Sequence, residues 1–255
     1  MNYANMVLVD SVTTLPSLGL PYDGQLPGGR VTLKEMTAHE IKILAGAKGS
    51  GYDTINGILR RLIVDCPISL SEMLTSDRLY LLYAIRVLAY GPTYGYDYKC
   101  PDCGFQSRDE INIMELDIKF LDEENEFNEP FIETIDGIEF EFILPRGRME
   151  QAAEKYTSRA YRRGTDGDPY QLYMVSACVK RMGDKEFKNA NQAIVDIQKL
   201  PARTFWELRD AIDDRDCGMP DTVEAECARC GYIADITLPM SAEFFRPRSR
   251  RGRQR

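Results

Sequence analysis

The sequence predicts an α+β fold, a helical layer with two β-hairpin zinc knuckles joined in one four-cysteine site. Two Cys-x-x-Cys-Gly turns, at Cys100/Cys103 and Cys227/Cys230, each lie between short runs of strand-like alternation. The stretches before and between them repeat apolar residues at helical spacing instead. A chain of 255 residues, 44% hydrophobic and 28% charged, is long and apolar enough to close a core around both patterns.

Residues 1–30 read as an extended N-terminal arm. Leu15-Pro16-Ser17-Leu18-Gly19 and Leu26-Pro27-Gly28-Gly29 set proline and glycine where a helix would fail, with Tyr22 as the buried anchor between them. Residues 31–245 form the mixed α+β body. Val31 and Leu33 suggest a strand, and Thr37-Ala38-His39-Glu40 reads as a capping box opening a helix to Leu44 or Ala45. Asp53 caps a second helix carrying Ile55, Ile58, Leu59 and Leu62. Ser76 caps a third, carrying Leu79, Leu82, Ile85, Arg86 and Ala89 and stopping near Gly91.

Tyr94 to Lys99 then alternates into the first cysteine pair, and Ile111 and Ile113 mark the returning strand. The acidic stretch Asp122 to Glu129 lacks the spacing and central glycine of a calcium loop and reads as a solvated linker. Ile138, Phe140, Phe142 and Leu144 predict a strand ended by Pro145. Helices are expected over Met149–Tyr161, Pro169–Met182 and Asn189–Leu200, with another starting at Pro201, where the missing N–H is not needed. Tyr156, Tyr161, Tyr170 and Tyr173 read as a partly buried packing surface. Glu224–Glu226 and Tyr232–Leu238 frame the second knuckle, and residues 246–255 form an arginine-rich tail.

The cysteines carry the chemistry. In Cys100-Pro101-Asp102-Cys103-Gly104 and Cys227-Ala228-Arg229-Cys230-Gly231, two thiolates can reach one ion from a tight turn, and the glycine lets the backbone close in. Together they offer four sulfurs, a set suited to one closed, tetrahedral, structural zinc. A redox dithiol, an iron centre or two unrelated turns are the competing readings of the same residues. The pairs lie 124 positions apart (227 minus 103), so joining them removes on the order of 4 to 5 kcal/mol of unfolded-chain entropy. Four sulfur ligands leave no open position for water, which disfavours a Lewis-acid hydrolase. Cys66 and Cys178 read as buried small hydrophobes, and Cys217 as an exposed residue of a polar turn.

Other chemistries find little support, and no enzyme is expected. The single histidine, His39, has no nucleophile motif around it, and Gly46, Gly49 and Gly51 near Lys48 do not have P-loop spacing. The N-terminus has no basic-then-apolar leader and no stretch approaches a membrane span, so an intracellular product with no membrane partner is expected. The net charge of −8 conceals an asymmetry. Arg246, Arg248, Arg250, Arg251, Arg253 and Arg255 occupy a tail without acids, leaving 26 basic against 40 acidic side chains elsewhere, a balance of −14. Such a body repels a phosphate backbone, so an acidic protein surface is the expected partner of the tail. A zinc-knuckle nucleic-acid-binding protein using that tail is the alternative.

One ordered set of residues carries a resemblance. Leu15-Pro16-Ser17-Leu18-Gly19, Tyr22, Leu33 and Thr37 are followed by Asp77-Arg78-Leu79, Ile85-Arg86 and Tyr90-Gly91. These lead into Tyr98-Lys99-Cys100-Pro101-Asp102-Cys103, and Cys227-Ala228-Arg229-Cys230 and Phe244-Phe245-Arg246-Pro247 close the series. From about residue 13 to 247 the chain resembles the baseplate hub family of T-even-type bacteriophages, proteins of the hub or its assembly. The resemblance implies a non-enzymatic structural or assembly role in a contractile-tail baseplate, with hub or wedge proteins as partners. It implies a location in the host cytoplasm during assembly and in the virion tail baseplate afterwards. The tail arginines beyond Pro247 lie outside it.

Overall fold

A computed structural model describes residues 2–46, 52–121, 127–164, 167–220, 222–238 and 244–245. The chain opens with three short strands, β1 (Asn2–Ala4), β2 (Leu8–Val9) and β3 (Val12–Thr14), and β4 (Arg30–Leu33) pairs antiparallel with β3. The loop between β3 and β4 is closed by the Leu15 N–H donating to Gly29 O at 2.8 Å, and it buries Leu15, Tyr22 and Leu26. Residues 2–30 therefore lie against the body.

Helix α1 (Ala38–Gly46) begins at the expected capping box. The Thr37 N–H donates to Glu40 Oε2 at 3.0 Å, and Thr37 Oγ1 accepts from the His39 N–H at 3.2 Å. In α2 (Tyr52–Leu62), Ile58, Leu59 and Leu62 face inward while Arg60 and Arg61 face water. After β5 (Ile63–Val64), which completes the sheet β2-β3-β4-β5, comes α3 (Thr75–Tyr90). Tyr80, Leu81, Leu82, Tyr83, Ala84 and Ile85 are all buried, so α3 is covered all round and forms the centre of the molecule. Ser76 does not cap it. Its hydroxyl donates to Asp216 Oδ1 at 2.9 Å, a partner 140 positions away, and Leu74 occupies the cap without a side-chain bond.

The first knuckle hairpin, β6 (Thr93–Lys99) and β7 (Gln106–Asn112), follows. Ile113 lies in a 3-10 turn just beyond it rather than in the strand. Strand β8 (Ile118–Phe120) returns to pair with β1. Strands β9 (Phe131–Ile135) and β10 (Ile138–Phe142) form a hairpin whose Phe140 and Phe142 are fully buried. Helix α4 (Gly147–Arg162) leads to α5 (Pro169–Cys178), capped by Asp168, whose carboxylate accepts the Tyr170 N–H at 3.0 Å.

The helix expected to run to Met182 stops at Cys178. Val179–Met182 is strand β11, paired with β10 through Phe142↔Val179 and Phe140↔Met182. Strand β12 (Lys185–Glu186) extends that sheet, and α6 (Ala190–Ile197) and α7 (Ala202–Arg215) cover it. The second knuckle hairpin, β13 (Thr222–Glu226) and β14 (Ile233–Thr237), closes the described body. All strand pairs are antiparallel, confirming the α+β class.

There are two principal cores. One surrounds α3 and takes in the N-terminal loop, both knuckle hairpins and Phe244–Phe245. The other joins Phe140, Phe142, Val175, Ile197, Leu208 and Ile212 within the helical insertion, and Phe131 touches both. No described helix is long and apolar enough to cross a membrane. Residues 122–126 of the acidic stretch and the arginine tail, 246–255, lie outside the described residues.

Candidate metal centre

The two knuckles repeat one local geometry. In the first hairpin Tyr94, Tyr96 and Tyr98 point into the core while Thr93, Asp97 and Lys99 face outward, the period-two pattern of a half-buried strand. The ladder ends at Lys99↔Gln106, and residues 100–105 make the loop. There the Cys100 N–H donates to Phe105 O at 2.9 Å and the Gly104 N–H to Cys100 O at 3.0 Å. In the second hairpin the ladder ends at Glu226↔Ile233. The Cys227 N–H donates to Tyr232 O and the Gly231 N–H to Cys227 O, both at 2.8 Å. Gly104 and Gly231 adopt φ of 68° and 72°, left-handed values at which a side chain would strain the turn.

The core brings the two tips together. Ala225 is buried against the same cluster as Tyr96 and Tyr98, and the Tyr98 hydroxyl donates to Glu226 O at 2.8 Å, one residue before Cys227. The sulfurs then interleave: Cys100 Sγ lies 3.7 Å from Cys230 Sγ, and Cys103 Sγ lies 3.7 Å from Cys227 Sγ. All four fall within 4.8 Å of one another. A disulfide needs about 2.05 Å, so neither close pair is one. Four sulfurs at about 2.3 Å from a central ion would be about 3.8 Å apart, close to both observed separations. The geometry and the all-sulfur donor set therefore fit a tetrahedral metal ion.

Burial and charge agree with that arrangement. Cys100 and Cys227 are buried, Cys103 is half-buried and Cys230 is exposed, so the cluster sits at the surface end of the core. The Arg229 N–H, directed at the Cys227 sulfur, holds that thiol down at about 7. The Tyr232 N–H draws Cys230 down, but desolvation and the surrounding sulfurs push it up to about 12. Sulfur ligands bind a metal as thiolates, and a cation at the centre would offset their charge.

The remaining cysteines take no part. Cys178 is buried, as expected, and Cys66 is half-buried with its thiol 3.8 Å from Ile68 O. Cys217 is buried rather than exposed because the Ser76–Asp216 contact pulls its turn onto α3, with its sulfur 3.5 Å from Ser76 Oγ. His39 stands apart from the site, 3.4 Å from Arg61 Nη1. Of the tyrosine group, Tyr156 and Tyr173 stack at 4.9 Å, whereas Tyr161 is exposed.

Sequence reasoning names Arg86 on the third helix but assigns it no contact. Its buried guanidinium donates to Phe244 O at 3.1 Å, Gly91 O at 3.0 Å and Thr93 O at 3.2 Å, fastening the C-terminal Phe244 beside the first hairpin. An arginine on an apolar helix was the available signal, but its three acceptors are backbone carbonyls, which no side-chain pattern reveals.

A family model described as T4 bacteriophage base plate protein matches residues 19–246, a span that includes both knuckles. No curated protein and no solved structure matches the chain.

Proposed function

The chain belongs to the T4 bacteriophage base plate protein family, and from that premise we propose that it is a non-enzymatic subunit of the baseplate hub or of its assembly. On this reading Cys100, Cys103, Cys227 and Cys230 hold one structural zinc ion, and hub or wedge proteins bind surfaces that the ion fixes in place. The carrying observation is the convergence of four sulfurs from hairpins 124 positions apart. Closing the site brackets the helical insertion and ties both hairpins to α3, so the metal acts on shape.

Residues 31–245 serve as the body and 1–30 as the arm laid against it. The tail arginines Arg246, Arg248, Arg250, Arg251, Arg253 and Arg255 meet an acidic protein surface, where guanidinium and carboxylate make paired hydrogen bonds. The subunit is made in the host cytoplasm and carried in the virion tail. Asp97, Asp109, Glu110, Glu224 and Asp235 on the two hairpins give the knuckles an acidic setting, which supports a protein partner over nucleic acid.

Elemental analysis of purified protein should find about one zinc per chain. Cys227→Ser should lose the metal and, with it, both folded stability and capture of baseplate partners. A Cys227→Ser protein that stays folded without metal and still assembles normally would sink the proposed role of the site.

A further inference from the structure

A groove of about 860 Å³ lies away from the sulfurs between α7 and the β8–β9 region. Phe120, Phe127 and Phe131 give it aromatic walls, and α7 supplies Glu207, Asp210 and Asp214. Its two cations are engaged. Lys119 Nζ donates to the Asp213 and Asp214 carbonyls at 3.2 and 2.8 Å. Arg215 lies 5.5 Å from the Phe131 ring centre and pairs with Glu133 at 2.5 Å. Among the described residues, no cation pairs with the carboxylate of Asp210 or Asp214, and both residues are exposed.

We infer that this groove receives the arginine-rich segment 246–255 of the same chain. Arg215 already shows how the groove holds a guanidinium, stacked on a phenylalanine and paired to a carboxylate. The tail offers six more arginines and no acid, against walls that combine aromatic faces with two carboxylates lacking cations.

The attachment point puts the groove within reach. Phe244 packs 5.3 Å from the Tyr83 ring, and the Tyr83 hydroxyl lies 3.5 Å from Pro220 O. Pro220 is four residues from Asp216 in the groove wall, at most about 14 Å of chain, whereas ten extended residues span about 33 Å. Tethering keeps the tail at an effective concentration that a separate acidic partner must overcome. In the free subunit the groove thus shields the tail, and an acidic neighbour in the assembly competes for it. The contact depends neither on the identity of the metal nor on which baseplate subunit this is.

The probe is a synthetic peptide, Arg-Pro-Arg-Ser-Arg-Arg-Gly-Arg-Gln-Arg, titrated at about 50 mM salt. It should bind protein truncated after Phe245 at least about tenfold more tightly than the full chain, whose own tail occupies the groove. Asp210→Asn with Asp214→Asn, in the truncated protein, should weaken peptide binding about tenfold while leaving the circular dichroism unchanged. Equal binding to full and truncated chains, no binding to the truncated chain, or an unaffected double variant would each overturn the inference. So would tail-dependent dimerisation of the full chain, since the tail would then occupy a second copy.

Discussion

Asp77 is wholly buried in the first turn of α3, where it accepts the Ser17 N–H at 3.1 Å and the Tyr22 hydroxyl at 2.5 Å. Those bonds pin the N-terminal loop to the central helix, and the Leu74 N–H donating to Tyr22 Oη at 3.0 Å completes the set. Burial outweighs the hydrogen bonds and pushes the carboxyl up to about 6, above its ordinary 3.8. Between those values the folded chain keeps a proton that the unfolded chain has released. Stability therefore falls as pH rises through that window, by up to about 3 kcal/mol, and levels off above it. Asp77→Asn removes this slope and keeps an acceptor for the Ser17 N–H. Urea unfolding of both proteins from pH 4 to 7 should show the wild type losing stability relative to the variant as pH rises. A constant difference would mean that Asp77 is already ionised at the acid end. Asp216, held up at about 7 chiefly by burial and in smaller part by the Asp77 charge, is present in both proteins, so most of its own pH dependence cancels and the difference reports Asp77 together with its effect on Asp216.

Between elements, the knuckle hairpins are joined by more than the sulfurs. The Tyr98 hydroxyl reaches Glu226 O, and Phe244, beyond the second hairpin, packs against Tyr83 of α3 and Tyr94 of the first at 5.3 and 5.1 Å. Phe244→Ala should cost about 3–5 kcal/mol, the range for truncating a fully buried phenylalanine. The remaining contacts should still bring the sulfurs together, so on the proposed reading the folded fraction should retain metal. Denaturant midpoints and metal content measured on one preparation separate the two effects, and metal lost from still-folded protein would make Phe244 part of the site's support. The hairpins were legible in the sequence because their determinants are local: alternating tyrosines, a Cys-x-x-Cys turn and a glycine at the left-handed position. The convergence of the sulfurs was legible through ligand chemistry. Val179–Met182 was not, because the pattern starting at Pro169 allows the helix to continue and only the open edge of β10 makes a strand of it. Ser76 shows the same limit, since a good capping residue was spent on Asp216 across the fold. The groove beside α7 was hidden for that reason too, its walls coming from segments about 80 positions apart that the fold alone makes neighbours.

The two principal cores among the described residues meet at Phe131, with the sulfur cluster closing the first core around the chain that builds the second. The helical insertion buries Phe140, Phe142, Leu208 and Ile212 without help from either knuckle, so its stability has a local source. The first core depends on both hairpins, and these lie at the ends of the longest closed segment the site defines. Removing a metal from that site returns on the order of 4 to 5 kcal/mol of chain entropy to the unfolded state and leaves crowded thiols in its place. The loss should fall mainly on the first core. Metal-loaded protein should unfold in one thermal transition, whereas protein treated with a strong chelator should lose the tyrosine-rich first core at lower temperature than the insertion. Near-ultraviolet circular dichroism is weighted toward Tyr80, Tyr83, Tyr94, Tyr96 and Tyr98 of the first core, and the fluorescence of Trp206 reports from α7. After chelation the first signal should melt well before the second, and restoring zinc should bring the two together. Coincident melting in the stripped protein would show that the cores stand or fall as one unit, and that the metal stabilises the molecule without selectively holding its knuckle half.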